Sequence, residues 1–209
     1  RPDLLSHETL AKASRSFLNY KIEDASMDVK KGENTVDVDK SLEGVRPIIM
    51  SAIVRGVKTG KNTADKEKFI QSLMDHQEKL HLTLGRKRKL SSIGVHDLAK
   101  IKPPFRVKTV RSSFKFVPLS ENSEMSITEI LNKHSKGIEY AHLMKDTNIF
   151  PIILDSEDNV ISFPPIINGE QTTVTTETED FFIDVTGWDE RACEACLLLI
   201  CLALEERGG

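Results

Sequence analysis

Cysteine is scarce. Only Cys193, Cys196 and Cys201 occur in 209 residues, all inside one apolar C-terminal segment. Three thiols so placed make no disulfide framework, which excludes the small secreted disulfide scaffolds and points to a reducing, cytoplasmic setting. The Cys193-x-x-Cys196 spacing has no second Cys or His pair beside it, so these residues read as small buried hydrophobes rather than zinc or redox ligands. Long hydrophobic runs are missing too. The longest, Ala195 to Leu204, has ten residues, about half of the ~20 needed to cross a bilayer. No membrane span and no apolar signal core is predicted. An initiator Met is also lacking: the chain opens with Arg1-Pro2-Asp3-Leu4-Leu5-Ser6 and stops at Gly208-Gly209, as expected of a piece of a longer chain. What is present, 39% hydrophobic and 29% charged residues, describes a globular protein and excludes disordered, collagen-like and coiled-coil classes.

The net charge of -3 conceals a division. From Arg86 to Lys115 ten basic residues face one acid, Asp97, giving +9 in thirty residues; from Asp155 to Glu190 there are ten acids and no Lys or Arg. Such stretches either pair with each other or face different partners. The run Arg86-Lys87-Arg88-Lys89 reads as a solvated surface or as a contact for a phosphate backbone, where clustered cations release counterions.

Ser6 is placed to cap a helix through Leu10, Ala13 and Phe17, ending near Asn19. Residues 20 to 44 are polar and read as a linker with one hairpin turning at Lys30-Lys31-Gly32-Glu33-Asn34. Ile48 to Val57 predicts a strand. The stripe Phe69, Ile70, Leu73, Met74, Leu80, Leu84 predicts a helix closed by Gly85. Strands are expected at Ser91 to Val95, Phe105 to Val110 and Phe114 to Val117. Ser126-x-x-Glu129 has the capping-box pattern for a helix ending at Gly137. Ile149 to Leu154 and Val160 to Phe163 flank five turn-forming residues and read as a hairpin. Thr172 to Thr176 and Phe181 to Val185 are further strand candidates, and Asp189 to Glu206 is the final helix. There is no internal repeat and no regular βαβ rhythm, so the expected class is α+β, with mixed, mainly antiparallel sheets and flanking helices.

Familiar catalytic motifs are absent. Gly56-Val57-Lys58-Thr59-Gly60-Lys61-Asn62 fails as a phosphate loop because its glycines are one residue too close and Asn62 stands where Ser or Thr must hold magnesium. No nucleophile elbow or zinc-binding His pair occurs, and His7, His76, His81, His96, His134 and His142 are scattered. What stands out is polar residues in apolar strands. In Phe181-Phe182-Ile183-Asp184-Val185-Thr186, period two puts Phe182, Asp184 and Thr186 on one face. A buried Asp184 needs a partner, either protein donors, with Thr186 capping the last helix, or a ligand. Ser162 and Asn168 bracket the rigid Phe163-Pro164-Pro165-Ile166-Ile167 and either structure that turn or present groups to a ligand. His96-Asp97 is a candidate acid-base pair, although neighbours on a strand point to opposite faces.

These residues form an ordered series: Arg1-Pro2-Asp3-Leu4-Leu5-Ser6, Arg46-Pro47, Gln77-Glu78-Lys79-Leu80-His81 with Gly85-Arg86-Lys87-Arg88, Ile93-Gly94-Val95-His96-Asp97-Leu98, Phe116-Val117-Pro118-Leu119, Pro164-Pro165-Ile166-Ile167-Asn168 and Phe182-Ile183-Asp184-Val185-Thr186. The series resembles the editing region of the β subunit of archaeal and eukaryotic-type phenylalanyl-tRNA synthetases, from the first residue to about Gly209. The resemblance implies an N-terminal helix and linker segment over 1–44 and an editing domain over 45–209. It also implies hydrolysis of the ester joining tyrosine to the 3′ end of tRNA(Phe).

The same resemblance implies a pocket of Ile153, Ser162, Asn168, Asp184 and Thr186. Asn168 or Asp184 is expected to read the phenol, Ser162 and Thr186 to position ester or water, and Ile153 to pack the ring; Asp184 as general base is the other assignment. His96 falls near a substrate-binding histidine of bacterial relatives. Arg86, Lys87 and Arg88 are the expected tRNA contacts. No metal or cofactor is implied for editing, ATP and magnesium belonging to the catalytic subunit. The expected partners are tRNA(Phe) and the synthetase α subunit, in a heterotetramer of two α and two β subunits, with no membrane. The competing expectation is a tRNA-binding or subunit-binding module without catalysis of its own, or a structural domain whose editing has decayed.

Overall fold

The strand Phe181 to Gly187 divides the molecule, because its two faces serve two different cores. The structure, a computed structural model, describes residues 1–20, 29–145 and 147–209. In chain order the elements are α1 (His7–Phe17), β1 (Val36–Val38), β2 (Ile48–Val54), α2 (Thr63–Leu82), β3 (Ser91–Asp97), β4 (Phe105–Arg111), β5 (Lys115–Phe116), β6 (Met125–Ser126), α3 (Ile127–Lys133), α4 (Ser135–Tyr140), β7 (Ile149–Leu154), β8 (Val160–Phe163), β9 (Ile167–Asn168), β10 (Phe181–Gly187) and α5 (Glu190–Glu205). The class is α+β, as the sequence predicts.

A three-stranded antiparallel sheet runs β2-β10-β3. On one face Phe181, Ile183 and Val185 pack with Ile93 and Val95 against Phe69, Leu73 and Leu80 of α2 and Cys193, Cys196, Ile200 and Leu204 of α5. The cysteines are free and buried, the packing role the sequence assigns them. On the other face Phe182 joins Phe105, Val107, Ile153 and Ile161 of a second sheet, with the Phe105 and Phe182 rings 4.4 Å apart. That second sheet has the order β1-β4-β7-β8-β9, and its far side packs on α3 and α4 through Ile152, Leu154, Phe163, Ile127, Ile130 and Tyr140. The layers therefore run helix, sheet, sheet, helix, each sheet burying both faces.

Several elements sit where the sequence puts them. Ser6 caps α1, accepting from Thr9 N; Ser126 and Glu129 form a full capping box; and β7 and β8 are the expected hairpin. Its turn is built by buried Asp155, which accepts from Glu157 N and Asn159 N at 2.9 Å each.

Other expectations fail for identifiable reasons. The first arm of the expected N-terminal hairpin falls on residues 21–28, outside the described residues; its second arm, Val36–Val38, pairs in parallel with Phe105–Val107. Thr172 to Thr176 is not a strand, because Glu170–Thr172 winds into a 3-10 turn that places the Thr172 hydroxyl between Gly169 O and His96 Nδ1. Gly137 does not end α3. The break comes at His134, whose Nδ1 accepts from Lys136 N to start α4. Gly137 lies inside α4, where a Cβ would collide with the Ile130 carbonyl.

Candidate functional site

The two sheets do not meet along their whole width, and a cavity of about 340 Å³ opens between them. Its floor is the β3–β10 ladder at Gly94 and Asp184, and its opposite wall is Ser162, Asn168 and the Pro164-to-Ile167 segment. Helix α2 closes one side with Gln77 and Glu78, and the start of α4 closes another with Ser135 and Lys136.

The wall is aimed by a bulge. Ile153 pairs with Ser162 but Leu154 with Val160, leaving Ile161 as an extra residue. A bulge re-aims the side chains beside it, so Ile161 and Ser162 both reach the sheet-to-sheet side. Ser162 also pairs with Asn168 on β9, and its Oγ donates to Asn168 Oδ1 at 3.2 Å. The Asn168 Nδ2 is left without a partner among the described residues.

On the floor, Asp184 is 2% exposed. Its Oδ2 lies 2.7 Å from Nε2 of His96. Its Oδ1 has no hydrogen-bond partner among the described residues and is not sealed from solvent. The burial predicted for Asp184 is observed, and its partner is a histidine rather than backbone N–H groups. Gly94 makes room for this pair, because a Cβ there would overlap the Asp184 carboxylate.

Three expected residues lie behind the walls. Thr186 is fully buried, and its Oγ1 accepts from Arg46 Nε at 2.7 Å. It does not cap α5, whose cap is Asp189, accepting from Ala192 N. Ile153 is in the core between the sheets, and His96 is fully buried. Asp97 points away from His96, as alternation requires, and accepts from Thr178 Oγ1 at 2.8 Å.

The basic run divides as well. Arg86, Lys87 and Arg88 take consecutive left-handed backbone conformations, with φ of 45°, 54° and 64°, a costly geometry for residues with a Cβ. Arg86 and Lys87 are exposed, whereas Arg88 is buried, so it cannot join them on an RNA-facing surface. Its Nη1 donates to Pro165 O at 3.1 Å and Ile166 O at 2.9 Å, its Nη2 to Glu78 Oε1 at 2.6 Å, and its guanidinium lies 4.3 Å over the Tyr140 ring. Arg88 thereby ties the cavity wall to α2 and α4.

Arg46, Gly94 and Thr172 were legible only as parts of the motif strings or not at all. Arg46 is 1% exposed, and besides Thr186 Oγ1 it reaches Thr186 O at 2.8 Å, Ser92 Oγ at 3.0 Å and Arg88 O at 3.2 Å. Burial, opposed by nearby Cys193 and Asp184, pulls its pKa down to about 10. Glu78 is held at about 2, first by its hydrogen bond from His81 and then by the Arg88 charge. His81 has a fixed tautomer: Nε2 accepts from Ile93 N at 2.8 Å, so Nδ1 carries the proton toward Glu78. Among the described residues no three His, Cys, Asp or Glu side chains gather as a metal site.

A family model described as the B3/4 domain matches residues 45–195. The chain belongs to the B3/4 domain family. This B3/4 domain is 49% identical over 209 residues to the phenylalanine–tRNA ligase β subunit of Methanosarcina barkeri and 50% to that of Methanosarcina acetivorans. These alignments span all of this chain but only 37% of each of those relatives. An N-terminal fragment of the phenylalanyl-tRNA synthetase β subunit from Pyrococcus horikoshii has a similar structure, with a TM-score of 0.92 at 43% identity, covering 100% of this chain and 59% of that one. The resemblance read from the motif strings is borne out. No helix among the described residues is long and apolar enough to cross a membrane.

Proposed function

We propose that this B3/4 domain edits: it hydrolyses the ester of tyrosyl-tRNA(Phe) as part of a cytoplasmic phenylalanine–tRNA ligase, alongside an α subunit in a heterotetramer. The observation that carries this reading is the Asp184 carboxylate, pinned at Oδ2 and open at Oδ1, facing Ser162 and Asn168 across a cavity. A synthetic site shaped for phenylalanine rejects tyrosine weakly, because a ring that only adds a hydroxyl is hard to exclude. A second site with a polar group for that hydroxyl discriminates strongly, since phenylalanine leaves the group unpaired. The unpaired Asn168 Nδ2 supplies such a donor for the phenol oxygen.

Asp184 Oδ1 then accepts a proton from water as its oxygen attacks the ester carbonyl, and Ser162 Oγ orients the water or ester. The bond from carbonyl carbon to ribose oxygen breaks as the proton taken up by Asp184 passes to that oxygen, releasing tyrosine and the free 3′ hydroxyl. Positioning in a confined cavity supplies much of the acceleration. Exposed Arg86 and Lys87 are the proposed contacts for the RNA backbone.

The test is deacylation of preformed tyrosyl-tRNA(Phe) by the 209-residue chain, with phenylalanyl-tRNA(Phe) alongside. Tyrosine is expected to be released faster, and Asp184→Asn to lose about 100-fold or more. Equal release of both amino acids, or an Asp184→Asn variant at wild-type rate, would refute the assignment. Intact tRNA binding without hydrolysis would favour a binding module.

A further inference from the structure

Behind Asp184 lies a pair of side chains that take no direct part in the proposed hydrolysis. His96 is 0% exposed and contributes nothing to the cavity lining, so no substrate reaches it. Its Nε2 contacts Asp184 Oδ2 at 2.7 Å, and its Nδ1 lies 2.8 Å from Oγ1 of Thr172, a residue 1% exposed. The Thr172 hydroxyl in turn lies 3.0 Å from the Gly169 carbonyl. Phe182 flanks the imidazole with ring centroids 6.0 Å apart.

We infer that Thr172 and His96 form a brace that fixes the cleft-facing geometry of Asp184. They are positioning residues for the hydrolysis, and the inference rests on the editing reading of the cavity. A contact of 2.7 Å between a ring nitrogen and a carboxylate oxygen needs one proton between them. With Asp184 ionised, that proton sits on Nε2. A neutral imidazole of this tautomer has its lone pair at Nδ1, and among the described residues Thr172 Oγ1 is the group placed to donate to it. When Nδ1 is protonated as well, the hydroxyl turns and gives its own hydrogen to Gly169 O. The Thr172 rotor thus satisfies His96 in either charge state while Nε2 remains the donor to Asp184.

The consequence for Asp184 is geometric. With Oδ2 held and Gly94 confining the carboxylate from below, Oδ1 is the oxygen left to act in the cavity. Removing the hydroxyl leaves the Nδ1 lone pair without a donor in a dry core and frees that end of the ring to tilt. Nε2 keeps its proton, but a ring anchored at one end only no longer fixes the direction in which Oδ1 faces the cavity.

The experiment compares wild type, Thr172→Val and Thr172→Ser in the 209-residue chain, with two readouts. In deacylation of tyrosyl-tRNA(Phe), Thr172→Val is expected to lower kcat about tenfold or more with KM nearly unchanged, and Thr172→Ser to restore it to within about twofold. In 15N NMR of the ring, assigned with His96→Gln, His96 is expected to be protonated at Nε2 in wild type and Thr172→Ser. In Thr172→Val the Nδ1 shift should move, its lone pair having lost its donor. Wild-type kcat in Thr172→Val, or equal losses in the Val and Ser variants, overturns the brace. Should the wild-type chain release no tyrosine, the editing reading fails and the ring nitrogens alone decide: a change on losing the hydroxyl upholds the brace, and identical shifts refute it.

Discussion

Asp184 and Gly94 face one another across the β10–β3 ladder, and the carboxylate of the first fills the space that a side chain on the second would occupy. A glycine in mid-strand weakens a sheet and marks a place where something approaches closely. Here the approaching group is the proposed catalytic carboxylate together with the His96 ring.

Gly94→Ala is therefore predicted to strike the site harder than the fold. The methyl group cannot be relieved by a flexible chain end, because Asp184 is held by His96. Overpacking of this kind costs about 1–3 kcal/mol, while the displaced carboxylate should lose tyrosyl-tRNA(Phe) hydrolysis by roughly 100-fold. Thermal unfolding and deacylation, measured on the same preparation, check both halves. Activity within a few-fold of wild type would mean that the carboxylate position is unimportant.

Arg88 and its neighbours Arg86 and Lys87 are predicted to separate by assay. Arg88→Gln removes the donors to two wall carbonyls and one of the two partners of half-exposed Glu78, and leaving buried carbonyls unpaired costs about 1–3 kcal/mol. Replacing Arg86 and Lys87 with Gln should leave stability within about 0.5 kcal/mol. The same double substitution should weaken tRNA binding and flatten its salt dependence. Denaturant unfolding and tRNA titration at several salt concentrations distinguish the two; an Arg88→Gln protein as stable as wild type would contradict the clamp.

How far the sequence carries the fold depends on whether a signal is local. Ser6, Ser126 with Glu129, and Asp155 with its turn partners act within four residues, and each was legible. Period two in Phe181 to Thr186 identified the face bearing Asp184, since alternation is a local property of a strand. What could not be read was set by distant partners. Val36–Val38 pairs with β4 some seventy residues away in parallel register, and Thr172 is drawn out of a strand by bonds to Gly169 and His96. Arg88 looked like its exposed neighbours because composition does not show which way a side chain turns. Of the expected pocket, Asp184, Ser162 and Asn168 meet in the cavity, whereas Thr186, Ile153 and His96 support it from behind.

That support makes Thr186→Val a stability variant. The methyl fits, but Arg46 Nε and Ser92 Oγ lose their shared partner, and leaving a buried donor unsatisfied costs about 1–3 kcal/mol, more when it is charged. The melting temperature should fall by roughly 2–4 °C for each kcal/mol at this size, with KM for the tRNA ester unchanged. A raised KM with no loss of melting temperature would put Thr186 in contact with substrate instead.

Acid should destabilise the protein in two stages, beginning with His76. Its ring is 2% exposed and neither nitrogen has a partner among the described residues. Burial lowers its pKa from 6.5 to about 4, and burial likewise lowers that of His81. A histidine with a depressed folded pKa stays neutral while the unfolded chain takes up its proton, so stability is full above pH 6.5 and falls as pH drops toward 4. For His76 the span corresponds to roughly 3 kcal/mol at most. Glu78, held at about 2 against an ordinary 4.5, contributes the second stage, lost as pH falls from 4.5 toward 2. His76→Leu removes one titrating group and two unsatisfied nitrogens from the core, so it should raise stability by about 1 kcal/mol at pH 7. It should also flatten the loss between pH 6.5 and 4. Urea unfolding at pH 7, 5.5 and 4.5 for both proteins tests this. If His76→Leu is less stable at pH 7, the ring has a partner such as a buried water, and the first stage must then be assigned to His81.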